Sequence, residues 1–188
     1  MNTRELTSDE ANAINVLTGG EGPKVFIHTG FELRQIKQNP PLRLLSSSET
    51  IVIPACNGTQ TLAQAKQAFP SGIDADFKNW GLDTRGSATE ETAVSVYELC
   101  EGATSTRIFG TLGTDLNDVC LTQHQIIKFC EENRKWLRLA HTIFLFRAEG
   151  NFFVAHAGDN GLRIHVRRLG HIDVWNIARA HRVVVPLL

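Results

Sequence analysis

The sequence predicts an α+β fold, and three observations predict it. Before residue 134, apolar residues recur at helical spacing between Gly/Pro breaks and capping-box patterns. Residues 141–188 read as four strand-like runs. The turns between those runs are too short for anything but antiparallel neighbours. The expected architecture is N-terminal helices with one or two short strands packed on a C-terminal four-stranded antiparallel β-meander. An arm with a short helix (residues 1–22) precedes a single domain (23–188), a division that suits 188 residues.

Each element has its own local signal. Thr7-Ser8-Asp9-Glu10 has the capping-box form, and Ala11 to Leu17 continues as a short helix before the Gly19-Gly20-Glu21-Gly22-Pro23 break. Lys24 to Thr29 reads as a strand, and Asn39-Pro40-Pro41 interrupts the segment from Phe31 to Leu45. Thr50 to Ile53 is a short buried strand stopped by Pro54. Asn57-Gly58 is a turn, after which Thr59 or Thr61 caps a helix to about Phe69. Ile73 to Leu82 has helical spacing with Gly81 as its stop. Ser87-Ala88-Thr89-Glu90 is a second capping box, expected to lead a helix to about Cys100, and residues 104–112 add a turn or two more. The clearest helix starts at Thr122, with Gln125 as its capping partner and Leu121 and Ile126 as a hydrophobic staple.

The four C-terminal runs are His141 to Arg147, Asn151 to Ala157, Leu162 to Arg168 and Val174 to Val185. In the third, Leu162, Ile164 and Val166 face one way and Arg163, His165 and Arg167 the other. Pro186 suits an edge strand.

Composition narrows the function classes. An apolar fraction of 42% supports a packed core, yet no stretch approaches the roughly 18 apolar residues of a membrane helix. The polar, acidic N-terminus does not read as a signal peptide. Cys56, Cys100, Cys120 and Cys130 form no C-x-x-C pair, which predicts reduced thiols in a cytoplasmic protein. Net charge is −1, but residues 134–188 carry nine Lys+Arg against three Asp+Glu. The basic half either complements the acidic half within one fold or meets an anionic partner.

No dinucleotide, phosphate-loop, zinc-protease, nucleophile-elbow or calcium-loop motif is present, and nothing implies a cofactor. Cys56, between a strand and a helix start, would have its thiolate favoured by the helix dipole, with His28 as its base if their strands are neighbours. The competing reading is an inert packing thiol. Asp74 and Asp76, with Asp83 nearby, could bind a divalent cation or share acid/base duty, or simply sit where a helix N-terminus favours acid. Arg163, His165, Arg167 and Arg168, with Arg147, Arg179, His181 and Arg182, could hold phosphates, with Phe152, Phe153 and Trp175 stacking bases. A solvated sheet face explains the same residues. His156 and His165 can be cross-strand neighbours, but the histidines are too scattered in sequence to imply a metal.

The stretch IVIPACNGTQTLAQAKQAFPSGIDADFKNWGLD, and that from CLTQHQIIKFC through RRLGHIDVWNIARAHRVVVPLL, resemble hypothetical proteins of candidate-phylum bacteria. The resemblance covers most of the chain beyond the arm and implies a small cytoplasmic bacterial protein. It carries no activity and no site residue. Three readings of function stand at this point. The leading one is a non-enzymatic, protein-directed interaction module; the others are a nucleic-acid binder using the basic meander and a cysteine-dependent enzyme using Cys56 and His28.

Overall fold

A computed structural model describes residues 41–113, 115–137 and 141–187. The chain divides into residues 1–39 and 40–188, so the described residues belong to the second unit. The expected arm, its helix, the 24–29 strand and His28 lie outside them.

The described residues hold ten strands and three helices, which overturns the expected fold class. The strands are β1 (Leu42–Leu44), β2 (Ile51–Ile53), β3 (Gly72–Ile73), β4 (Thr92–Leu99), β5 (Ala103–Thr104), β6 (Thr142–Ala148), β7 (Asn151–Gly158), β8 (Arg163–Arg168), β9 (Val174–Trp175) and β10 (Arg182–Pro186). The helices are α1 (Asp76–Asn79), α2 (Ser105–Gly110) and α3 (Gln123–Glu132). Eight strands form one mixed sheet in the order β1-β4-β10-β6-β7-β8-β3, with β2 pairing beside β1 on the outer edge of β4; β5 and β9 form a separate pair.

The expected four-stranded meander is three-stranded. β6, β7 and β8 are antiparallel neighbours as their short turns require. The fourth run, read as one strand, is two: β9 pairs with β5, and β10 inserts between β4 and β6, parallel to β6. Residues 169–181 supply the dozen or so residues that a parallel connection needs. Pro186 consequently ends an interior strand, not an edge. The neighbouring Leu187 N–H turns towards β4, so position 186 looks to the β6 side, where pairing has already stopped at Val184.

The second correction is β4. Its capping-box pattern suggested a helix, but Thr92, Val94, Val96 and Tyr97 favour an extended chain, and β4 finds partners on both sides. Tertiary pairing outweighs a four-residue cap motif. The expected helix after Thr61 shrinks to one 3-10 turn, Leu62–Gln64. Side chains intercept its first groups: Leu62 N–H donates to Gln123 Oε1 (2.9 Å), while Thr61 and Gln64 donate to the Asp83 carboxylate. The 73–82 segment keeps only the single turn α1 because Gly72 and Ile73 are drawn into pairing with β8. Helix α3 forms where expected. Thr122 Oγ1 accepts from Gln125 N–H, and Gln125 Oε1 accepts from Thr122 N–H.

Burial explains why β6 reads as a continuous apolar run: both faces of the sheet are covered. One face packs Val96, Phe144, Phe146, Phe153, Ile164 and Val184 against Leu62, Phe77 and the Ile126–Cys130 side of α3. The other packs Ile143, Leu145, Val154, Val183 and Val185 against Ile108, Phe109 and Val119, with Trp175 at its margin.

Asn57-Gly58 is the expected turn, with Asn57 Oδ1 accepting from Thr59 N–H (3.1 Å). Gly58 has φ +75°, and a Cβ there would lie 2.4 Å from Gly86 O and 2.5 Å from Ser87 O. Both the left-handed backbone and the backbone contact demand glycine. Gly58→Ala is expected to cost at least about 2 kcal/mol in urea unfolding; a loss under about 0.5 kcal/mol would show that the two loops do not approach this closely.

Candidate functional site

Four of the chain's seven histidines meet at the margin of the second core, although they come from four separate runs. Strand parity places them. His156 on β7 is registered with Ile143, and so faces the second core; His165 on β8 sits directly across from it. His141 and His181 immediately precede β6 and β10. The parallel register pairs Thr142 with Arg182, and so sets those two histidines side by side. Backbone bonds fix both: Arg182 N–H donates to His141 O (3.1 Å) and Leu99 N–H to His181 O (3.0 Å).

The rings touch in sequence. His181 stacks on His141 (centroids 5.7 Å), His141 meets His156 edge-on (4.9 Å), and His156 stacks on His165 (5.1 Å). Nδ1 of His141 and Nδ1 of His156 lie 3.2 Å apart. Glycine at 158 lets the His141 ring lie close to the strand; a Cβ there would come within 3.0 Å of it.

Trp175 lies against the group, 5.1 Å from His156, 5.2 Å from His181 and 6.0 Å from His141. Its indole N–H donates to Ser105 Oγ (2.9 Å), and the Arg167 guanidinium sits over its ring at 5.0 Å. Arg167 also donates to Asp173 (3.1 Å). The segment joining β8 to β10 is thus tied down at its middle by β9, Trp175 and Asp173.

Electrostatics keep the inner rings neutral. His156, 5% exposed, has its pKa pushed down to about 2, first by burial and then by His141, His165 and Arg167. His181, 3% exposed, is pushed down to about 4 by burial and then by His141. Its Nδ1 is buried without a hydrogen-bond partner among the described residues. His165 stands outermost, its Nδ1 3.6 Å from Asp74 Oδ2. Among the described residues, no three His, Cys, Asp or Glu side chains are arranged to hold a metal ion.

On its outer side the same connecting segment is apolar. Ile172, Val174 and Ile177 are 86%, 60% and 54% exposed. Beside them a cleft of about 610 Å³ is lined by Phe152, Phe153, Arg168, Leu169 and Ile172.

The residues singled out from sequence fare differently. Arg163, His165 and Arg167 do share a face, but Arg168 is on the other, over Trp80 (5.3 Å) and Phe153 (5.9 Å). Arg163 donates to Ser71 O, Arg147 to Asn117 and Arg182 to Lys135 O. The stacking candidates separate too, since Trp175 and Phe153 serve the two cores. Cys56 is buried; its Sγ contacts Pro54 O at 3.3 Å, and its backbone pairs with Thr89. Burial raises the Cys56 pKa, the opposite of the direction a helix dipole would give. The Asp trio serves local structure: Asp74 accepts from Asp76 N–H, Asp76 from Asn79, and Asp83 from Thr61 and Gln64. Hydrogen bonds from Thr61 and then Gln64 hold the Asp83 carboxyl below its ordinary range.

Sequence reading paired His156 with His165 and missed the cluster. A signal was present: each of the four C-terminal runs carries one histidine. No helix of the described residues is long and apolar enough to cross a membrane. Comparison with protein-family models, curated proteins and solved structures finds no match.

Proposed function

We propose that this domain is a protein-interaction module that docks its partner through residues 169–181, and that the partner presents acidic and apolar side chains together. The observation that carries this is the placing of Ile172, Val174 and Ile177, all strongly exposed, within six residues of one anchored segment. Single exposed apolar residues are ordinary, but a group beside an apolar cleft marks a contact surface. The anchoring favours binding as well, because a segment held by Trp175 and β9 loses little entropy when a partner arrives.

Charge gives the partner its sign. Arg168, His171 and Arg179 are exposed around the apolar group, and residues 134–188 carry nine basic against three acidic residues. Acidic side chains on the partner would be steered to this surface and would meet it at the rim. A nucleic-acid reading is less well supported, because the arginines it needs are divided between two faces and hold ring or carbonyl partners.

Selection of a phage-displayed random-peptide library on the full chain tests the reading. Enriched peptides are expected to combine Asp or Glu with large apolar residues. They should bind the I172S/V174S/I177S variant at least tenfold more weakly, about 1.4 kcal/mol. Peptides that bind the variant equally well would overturn the reading. So would a chain that enriches no peptide yet retains single-stranded DNA at low salt.

A further inference from the structure

Arg168 is placed differently from its paired neighbours. Arg147, Arg163 and Arg182 donate to Asn117, to Ser71 O and to Lys135 O, and Arg167 donates to Asp173. The Arg168 side chain instead lies over two rings, Trp80 at 5.3 Å and Phe153 at 5.9 Å. No carboxylate or carbonyl among the described residues accepts from it. Stacking uses the face of a guanidinium and leaves its N–H groups at the edge, in one plane, matched to the two oxygens of a carboxylate. The two rings also hold the side chain in place, which lowers the entropy lost on binding. Arg168 lines the cleft of about 610 Å³ whose apolar wall is Phe152, Phe153, Leu169 and Ile172. A cation with uncommitted donors thus stands against an apolar hollow.

We infer that this cleft is the anchoring subsite of the docking surface. One Asp or Glu side chain of the partner forms a two-bond pair with Arg168, and a large apolar side chain next to it in the partner's sequence fills the cleft. The inference rests on the docking reading and adds to it the residue that decides specificity. Charge complementarity identifies the occupant. Asp173, the acid on the same connecting segment, is held by Arg167 at 3.1 Å and does not compete for Arg168. A pair made against an apolar wall is shielded from water and counts for more than one at an open rim. Phosphate recognition uses several converging arginines, and the guanidiniums of Arg147, Arg163 and Arg167 are held elsewhere. Capture of a C-terminal carboxylate uses a nest of free backbone N–H groups. After β8 two of these are already spent, Leu169 on Phe152 O (3.3 Å) and His171 on Arg168 O (3.1 Å). The acid therefore comes from a side chain within the partner.

Peptides enriched from the random library on the full chain, remade with acetylated and amidated ends, test this by fluorescence polarisation. Changing one Asp or Glu of each peptide to Asn or Gln is expected to weaken binding to the native chain at least tenfold. On R168Q the acid and amide forms should bind alike, within about twofold, and R168K should not restore the difference. R179Q removes an exposed charge from the same segment and should cost less than about threefold. Arg168 is exposed, so R168Q is expected to fold, which circular dichroism would confirm. Peptides that bind R168Q as well as the native chain, yet lose affinity for I172S/V174S/I177S, would overturn the subsite and leave the docking reading standing. An acid-to-amide penalty that persists on R168Q would do the same, and full recovery with R168K would overturn the two-bond pair. A free C-terminus or a phosphoserine that binds about tenfold more tightly than the internal acid would overturn the occupant assigned here. A chain that enriches no peptide would overturn both readings.

Discussion

Lowering the pH from 7 to 4 is expected to destabilise the protein by about 6 kcal/mol. His156 and His181 have folded-state pKa values of about 2 and about 4, against 6.5 when unfolded. Both are depressed, so the unfolded chain binds more protons than the folded one once the pH falls below 6.5. Stability from these groups is complete above that pH and is lost as it falls, for His181 down to about 4 and for His156 further, to about 2. Each contributes about 1.4 kcal/mol per pH unit within its window. At pH 4 the two together approach the whole stability of an ordinary domain. Urea midpoints taken at half-unit steps from pH 7.5 to 4 would measure this. A flat profile through pH 5 would mean that the rings are hydrated and free to protonate. H156Q and H181Q should each remove about half of the slope.

Phe146→Ala is expected to cost about 3–5 kcal/mol, the range for a large aromatic lost from a core that cannot collapse around it. Phe146 is fully buried on β6 and packs on Phe77 (6.3 Å) and Phe153 (5.7 Å). At this point β6 is held by β7 on one side and by the Leu121 N–H to Leu145 O bond (2.9 Å) on the other, so neither neighbour can close the gap without breaking its own pairing. Exposed Ile172→Ala provides the contrast and should move stability by less than about 0.5 kcal/mol. A cost below about 1 kcal/mol for Phe146→Ala would show that this face of the sheet is not covered by α1 and α3.

What was legible in the sequence was local. The Thr122–Gln125 capping box, the β6–β7–β8 hairpins and the Gly58 turn all depend on residues a few positions apart, and each forms as read. Strand β4 was misread because Ser87-Ala88-Thr89-Glu90 matches a cap motif, whereas its extended state depends on β1, β2 and β10, partners as far as 90 residues away. The parallel place of β10 was hidden for the same reason. Its sequence reads as a strand, but nothing local says which neighbour it will choose. The histidine cluster inherits that uncertainty. His156 and His165 are joined by a tight connection and could be paired from sequence, but His141 and His181 become neighbours only once β10 returns beside β6.

The central claim is that residues 169–181 fold Trp175 onto a face of neutral histidines. Side-chain NMR at pH 6 on histidine-labelled protein tests it most directly. Nuclear Overhauser contacts are expected from the Trp175 indole to the rings of His141, His156 and His181, with His156 and His181 in neutral tautomers. Rings that show no contact with Trp175, and that all titrate near the ordinary value of about 6.5, would contradict it.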